Sequence, residues 1–166
     1  LTYQGDRFWE PNREGLLEEL KIAIAKSFEW GWELVTSLRE REEWDTDIWR
    51  VIFRAWQEIP MDEVQWQRVI EFLKVQSELY PLNRNEIADF LLHGIKRGEG
   101  RIPLTLLPDA EKVAESLWNL LEIDREEIVD TDDWLIKAIN HPGGKVTEFY
   151  LHALSERRTE FILSLI

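Results

Sequence analysis

The sequence predicts an all-α domain of consecutive helical hairpins, either a HEAT-like stack or an irregular α-solenoid or bundle. Three observations carry this expectation. Apolar residues recur at three- and four-residue spacings over long segments, while few runs alternate at period two. The six prolines fall between those segments. Some segments are apolar on two sides, which a helix needs when it has neighbours on both.

The first helix is expected from Asn12 or Arg13, after Pro11, with a stripe through Leu16, Leu20, Ile24, Phe28, Gly31, Val35 and Leu38. Gly31 either kinks this helix or admits a close neighbour. The second spans 47–58, with Asp45 or Thr46 accepting hydrogen bonds from its first N–H groups. Trp49 and Phe53 widen its apolar stripe. The third spans 62–80 and stops at Pro81; Phe72, Val75 and Leu79 form its second apolar side. The fourth starts at Asn83 or Asn85 and ends at Gly98, with Lys96 and Arg97 suited to a helix C-terminus. A loop over 99–108 leads to a fifth helix after Asp109. A turn over 124–129 leads to a sixth, capped by Thr131 or Asp132 and stopped by residues 140–144. The last carries Val146, Phe149, Tyr150, Ala153 and Leu154, and reaches past Phe161.

Asp45-Thr46-Asp47-Ile48-Trp49 is echoed by Asp130-Thr131-Asp132-Asp133-Trp134, at twice the period of a HEAT-like helix pair. This suggests a repeat array; shared capping chemistry is the alternative.

The 166 residues fit one helical domain, 1–166. The start without Met and the apolar ending Phe161-Ile162-Leu163-Ser164-Leu165-Ile166 suggest a piece of a longer polypeptide. Apolar residues make up 44%, including nine Trp and seven Phe, enough for a broad helix–helix core. Without Cys there is neither a disulfide framework nor a thiolate metal site. No apolar run approaches the roughly 20 residues of a membrane span, and no secretory segment opens the chain, so a cytoplasmic location and no membrane partner are expected. A net charge of −13 disfavours binding to phosphate backbones.

Chemistry-bearing motifs are sparse. His93, His141 and His152 form no i, i+4 pair, and no metalloprotease or nucleophile-elbow motif occurs. Gly143-Gly144-Lys145 lacks the rest of a phosphate loop, since Ile139 and Val146 stand where Gly and Ser or Thr are needed. Gly143 and Gly144 could still offer N–H groups to an anion at a helix N-terminus, against the simpler role of an inter-helix turn. Carboxylate pairs such as Glu18-Glu19 and Glu42-Glu43 suit solvated helix faces. The basic cluster Lys96, Arg97 and Arg101, with Arg84 nearby, is the candidate nucleic-acid contact; a solvated helix end is the alternative. Trp30 and Trp32 cannot face the same neighbour on one helix, so Trp30, Trp32 and Trp44 are candidate interaction residues, with a place in the core for all of them as the alternative; Ile162 and Leu165 in the apolar ending are further candidates.

The stretch Trp134-Leu135-Ile136-Lys137-Ala138-Ile139-Asn140-His141-Pro142-Gly143-Gly144-Lys145-Val146-Thr147-Glu148-Phe149-Tyr150-Leu151-His152-Ala153-Leu154 resembles a segment of large bacterial sirtuin-like proteins. There, Asn-His-Pro-x-Gly precedes an amphipathic helix in a C-terminal helical domain of unknown function, and the bearers occur among anti-phage defence systems. The resemblance is specific over these residues and general elsewhere. It implies a regulatory or sensing portion, with NAD-consuming chemistry in a separate domain. No Rossmann glycine fingerprint occurs here, and no family catalytic residue can be carried over. The expected function is therefore a non-catalytic interaction module without a cofactor. It would contact a protein partner, the rest of its parent chain or a second copy. The alternatives are a nucleic-acid sensor using the 96–101 loop and a carboxylate-based hydrolase.

Overall fold

The computed structural model describes residues 12–122 and 141–164. Among them the chain is all-α, with seven α-helices and no strand. The helices are α1 (Arg13–Lys26), α2 (Phe28–Glu40), α3 (Thr46–Glu58), α4 (Glu63–Val75), α5 (Tyr80–Lys96), α6 (Leu107–Glu122) and α7 (Pro142–Ser164). Short 3₁₀ turns, Ser77–Leu79 and Leu104–Leu106, lead into α5 and α6. No described helix is long and apolar enough to cross a membrane.

The helices alternate between two layers. In one, α1 packs on α3, α3 on α5 and α5 on α7. In the other, α4 packs on α6, and α2 meets α4 through Trp32 against Phe72 and Glu29 against Arg68. Residues 130–134, the second half of the sequence echo, and the cap expected at Thr131 or Asp132 lie outside the described residues.

Several boundaries differ from the sequence expectation. The first helix is two helices, because Ser27 is extended (φ −151°, ψ 108°) and its hydroxyl accepts the Trp30 N–H as an N-cap at 3.3 Å. Gly31 is thus not the break. It is the close approach: a Cβ there would stand 2.7 Å from Ile24 Cγ2. The third helix ends at Val75 rather than Tyr80, and Val75, expected to face inward, is 72% exposed. Pro81 starts α5 instead of stopping α4, since a helix's first turn does not need the missing N–H. The expected start at Asn83 is a kink inside α5 (φ −124°, ψ 19°). Likewise, α6 starts at Leu107, before Asp109, and Pro142 opens α7. The cap of α3 is Asp45, whose carboxylate accepts the Asp47 and Ile48 N–H groups at 3.0 and 3.2 Å.

Aromatic side chains fill the space between the layers from α2 to α5. Trp44, Trp49, Phe72, Trp32, Phe28, Trp56, Phe53, Phe90 and Trp66 form one connected chain of rings, with neighbouring centroids 5.2 to 6.2 Å apart. These offset and edge contacts add to the large apolar area each ring buries. Trp66 closes the chain against α5, where only a glycine fits. A Cβ on Gly94 would lie 2.4 Å from Trp66 Cη2. The same indole donates its N–H to the Gly100 carbonyl at 2.8 Å, and the Ile102 N–H returns to the Gly94 carbonyl at 2.9 Å. The loop after α5 is thereby latched over α4.

Candidate functional site

The outer face of the α1–α3–α5–α7 layer is polar, and ion pairs join each helix to the next. Lys21 on α1 meets Glu58 on α3 at 2.5 Å, and Arg13 reaches Asp45 and Asp47 at 3.0 and 3.1 Å. Arg50 on α3 meets Glu86 on α5 at 3.1 Å. Asp89 and Lys96 on α5 meet Lys145 and Glu148 on α7 at 2.9 and 2.7 Å. Helical spacing explains the alignment. Asp47, Arg50 and Arg54 recur at three and four residues on one face of α3, as Glu86 and Asp89 do on α5.

Between α3, α5 and the start of α7 this face opens into a cleft of about 100 Å³. Its lining is Phe53, Arg50, Arg54 and Gln57 from α3, Asn85, Glu86 and Asp89 from α5, and Lys145 from α7. Phe53 is buried and supplies an aromatic wall. Arg50 is held by Glu86 and, at 3.6 Å, by Asp47; Lys145 is held by Asp89. The side chains of Arg54, Gln57 and Asn85 make no hydrogen bond or ion pair among the described residues.

Titratable groups elsewhere on these helices follow their neighbours. The Lys96 ammonium holds the Glu148 carboxyl below its usual range against partial desolvation, with a further contribution from His152. Burial pushes the Asp45 carboxyl up, but the Arg13 guanidinium and the Ile48 and Asp47 N–H groups outweigh it, and the net shift is downward. Burial raises the Tyr80 hydroxyl, which donates to the Leu73 carbonyl at 2.5 Å.

The structure places the residues singled out in the sequence as follows. Lys96 is paired with Glu148, and Arg101 with Glu156 at 3.0 Å. The Arg97 guanidinium donates to the carbonyls of Ile59, at 2.7 Å, and Gln57, at 3.4 Å, closing the C-terminus of α3. Arg84, half-buried, also has an interaction within the chain. These four cations are therefore engaged internally and do not form one open basic surface. At the start of α7, the Gly143 N–H donates to His141 Nδ1 at 3.1 Å and the Gly144 N–H to the His141 carbonyl at 2.9 Å. His141 takes up the N–H groups that an anion would need. Glu18, Glu19, Glu42 and Glu43 are exposed on separate stretches of surface.

Of the three tryptophans, Trp30 is 44% exposed. Trp32 is half-buried among Phe28, Trp56 and Phe72, with the Arg68 guanidinium 4.7 Å above its ring, a cation–π contact. Trp44 is half-buried and stacks on Trp49 at 5.8 Å. The backbone of Ile162 continues α7, but its side chain lies outside the described residues, as does all of Leu165. The α3–α5–α7 cleft was not among the expected sites. Its signal is the Arg50–Arg54 pair at i, i+4, beside Glu86 and Asp89 at i, i+3.

The chain matches no family model, no curated protein and no solved structure. Of the segment that resembles the sirtuin-like proteins, residues 142–154 form the first half of α7 and residues 134–140 lie outside the described residues.

Proposed function

We propose that this chain is a non-catalytic helical interaction module of a larger bacterial protein. It contacts a protein partner or the effector domain of its own polypeptide. The observation that carries this is Trp30. It stands 44% exposed on α2, whereas Trp49, Trp56 and Trp66 are at most 1% exposed. Tryptophan is among the residues most concentrated in the energetic centres of protein interfaces, and its exposure carries a hydration cost that a partner relieves. The internal pairing of Lys96, Arg97 and Arg101 favours a protein over a nucleic acid as that partner. The resemblance of residues 134–154 supports a regulatory role beside a sirtuin-like, NAD-consuming domain.

The test is a photoreactive phenylalanine derivative at position 30 of the full-length protein, irradiated in the producing cells. A discrete protein adduct, or a crosslink to another part of the same polypeptide, is expected. It should disappear when the photoreactive group is moved to the buried position 56. A nucleic-acid adduct, or no adduct at position 30, overturns the proposal.

A further inference from the structure

The cleft between α3, α5 and α7 combines features that separately mean little. Three cations and two carboxylates line it, so it carries one surplus positive charge within a chain of net charge −13. Each carboxylate already has a cation: Glu86 holds Arg50 and Asp89 holds Lys145. The surplus falls on Arg54, which makes no ion pair among the described residues, while nearby Lys21 is already held by Glu58 at 2.5 Å. Gln57 lies one turn further along α3, and Asn85 lines the cleft from α5 beside Glu86. Both amides have N–H donors without partners among the described residues. The buried Phe53 ring adds an apolar wall beside them.

We propose that this cleft binds the carboxylate group of a small molecule, with Arg54 as its principal donor. A guanidinium presents two parallel N–H groups that match a carboxylate's two oxygens, and amide donors at the sides complete the oxygens' hydrogen bonding. One negative charge balances the cleft. A phosphate dianion would overshoot that balance and bring its second charge against Glu86 and Asp89, so the carboxylate is the better match. The available space, about 100 Å³, admits a group of a few heavy atoms, with the remainder of the ligand lying along the polar face between α3 and α5. The site is independent of the exposed Trp30, and its failure would leave the interaction proposal intact.

The experiment is an NMR titration of the full chain with sodium acetate, against sodium chloride at matched ionic strength. Saturable shifts are expected at the side-chain signals of Arg54, Gln57, Asn85 and Lys145. Arg54→Gln should weaken the apparent affinity at least tenfold while leaving the other signals in place, because Arg54 is exposed and holds no helix contact. Arg158→Gln removes an exposed arginine about 20 Å along α7 from Lys145 and should change nothing at the cleft. Shifts that rise linearly without saturation, that survive Arg54→Gln, or that follow inorganic phosphate at least as strongly as acetate overturn the proposal.

Discussion

The two ends of the helical stack are built in different ways. From α2 to α5 the layers meet through large rings, and the contacts are apolar and interlocked. Where α5, α6 and α7 meet, the buried residues are small or aliphatic: Ala110, Val113, Ala114, Leu117, Val146 and Ala153, with Phe149 as the large one. That corner's surface carries ion pairs, as the aromatic end's does, but over a core with a single large ring. Lys96 pairs with Glu148, Lys145 with Asp89, Arg101 with Glu156 and Arg157 with Glu111, while the Tyr150 hydroxyl donates to the Glu111 carbonyl. Ring packing depends on volume and hardly on salt, whereas exposed ion pairs are screened and each contributes little. The aromatic end should therefore be the stable part, and the corner the part that responds to solution conditions.

The strongest way to break this contrast is Trp66→Ala. It removes a ring wedged between Gly94 and Phe90, together with its hydrogen bond to Gly100. A loss of about 3–5 kcal/mol is expected in urea or guanidinium unfolding, nearly the same at low and high salt. A loss under about 1 kcal/mol would mean that the ring chain is not the stability centre it resembles.

A smaller effect is expected from Asp45→Ala, which leaves the first N–H groups of α3 without their cap and removes one of the two partners of Arg13. About 0.5–2 kcal/mol should be lost, most directly read as faster amide exchange at Asp47 and Ile48. Unchanged exchange there would show that water replaces the cap without penalty.

The smallest effect sharpens the contrast from the other side. Glu148 has its pKa lowered from the ordinary 4.5, so its pairing stabilises the fold above that value and is lost as pH falls through the lower folded value. Its side chain is 43% exposed, so Glu148→Gln should cost less than about 1 kcal/mol at pH 7. The difference between variant and parent should shrink as pH drops below 4.5, and also in molar salt. A difference that persists at pH 3 would assign Glu148 a packing role instead.

The helices were legible in the sequence because their apolar stripes are long; the cap of α3 was narrowed to the polar run before its stripe, but the choice of Asp45 over Thr46 was not legible there. The breaks were harder. The apolar phase runs through Ser27 without interruption, so the one sign that one helix has become two is the capping chemistry of Ser27 itself. Pro81 is ambiguous in the sequence, because a proline that ends one helix and a proline that begins the next look the same in one dimension. The pairing of the 96–101 cations was hidden for another reason. Their partners, Ile59, Glu148 and Glu156, are brought near only by the stacking of α3, α5 and α7. The cleft has the same origin: its lining runs from Arg50 to Lys145, and no local pattern connects those ends.

The chain of rings has an optical consequence. Indoles about 6 Å apart in a fixed, asymmetric arrangement couple their electronic transitions, so Trp32 with Trp56 and Trp44 with Trp49 should give the folded protein intense near-ultraviolet ellipticity. Excitation absorbed by the phenyl rings of the chain should pass to the neighbouring indoles, whose excited state lies lower. Loosening the interior would extinguish that ellipticity, so it reports the packing of the rings directly.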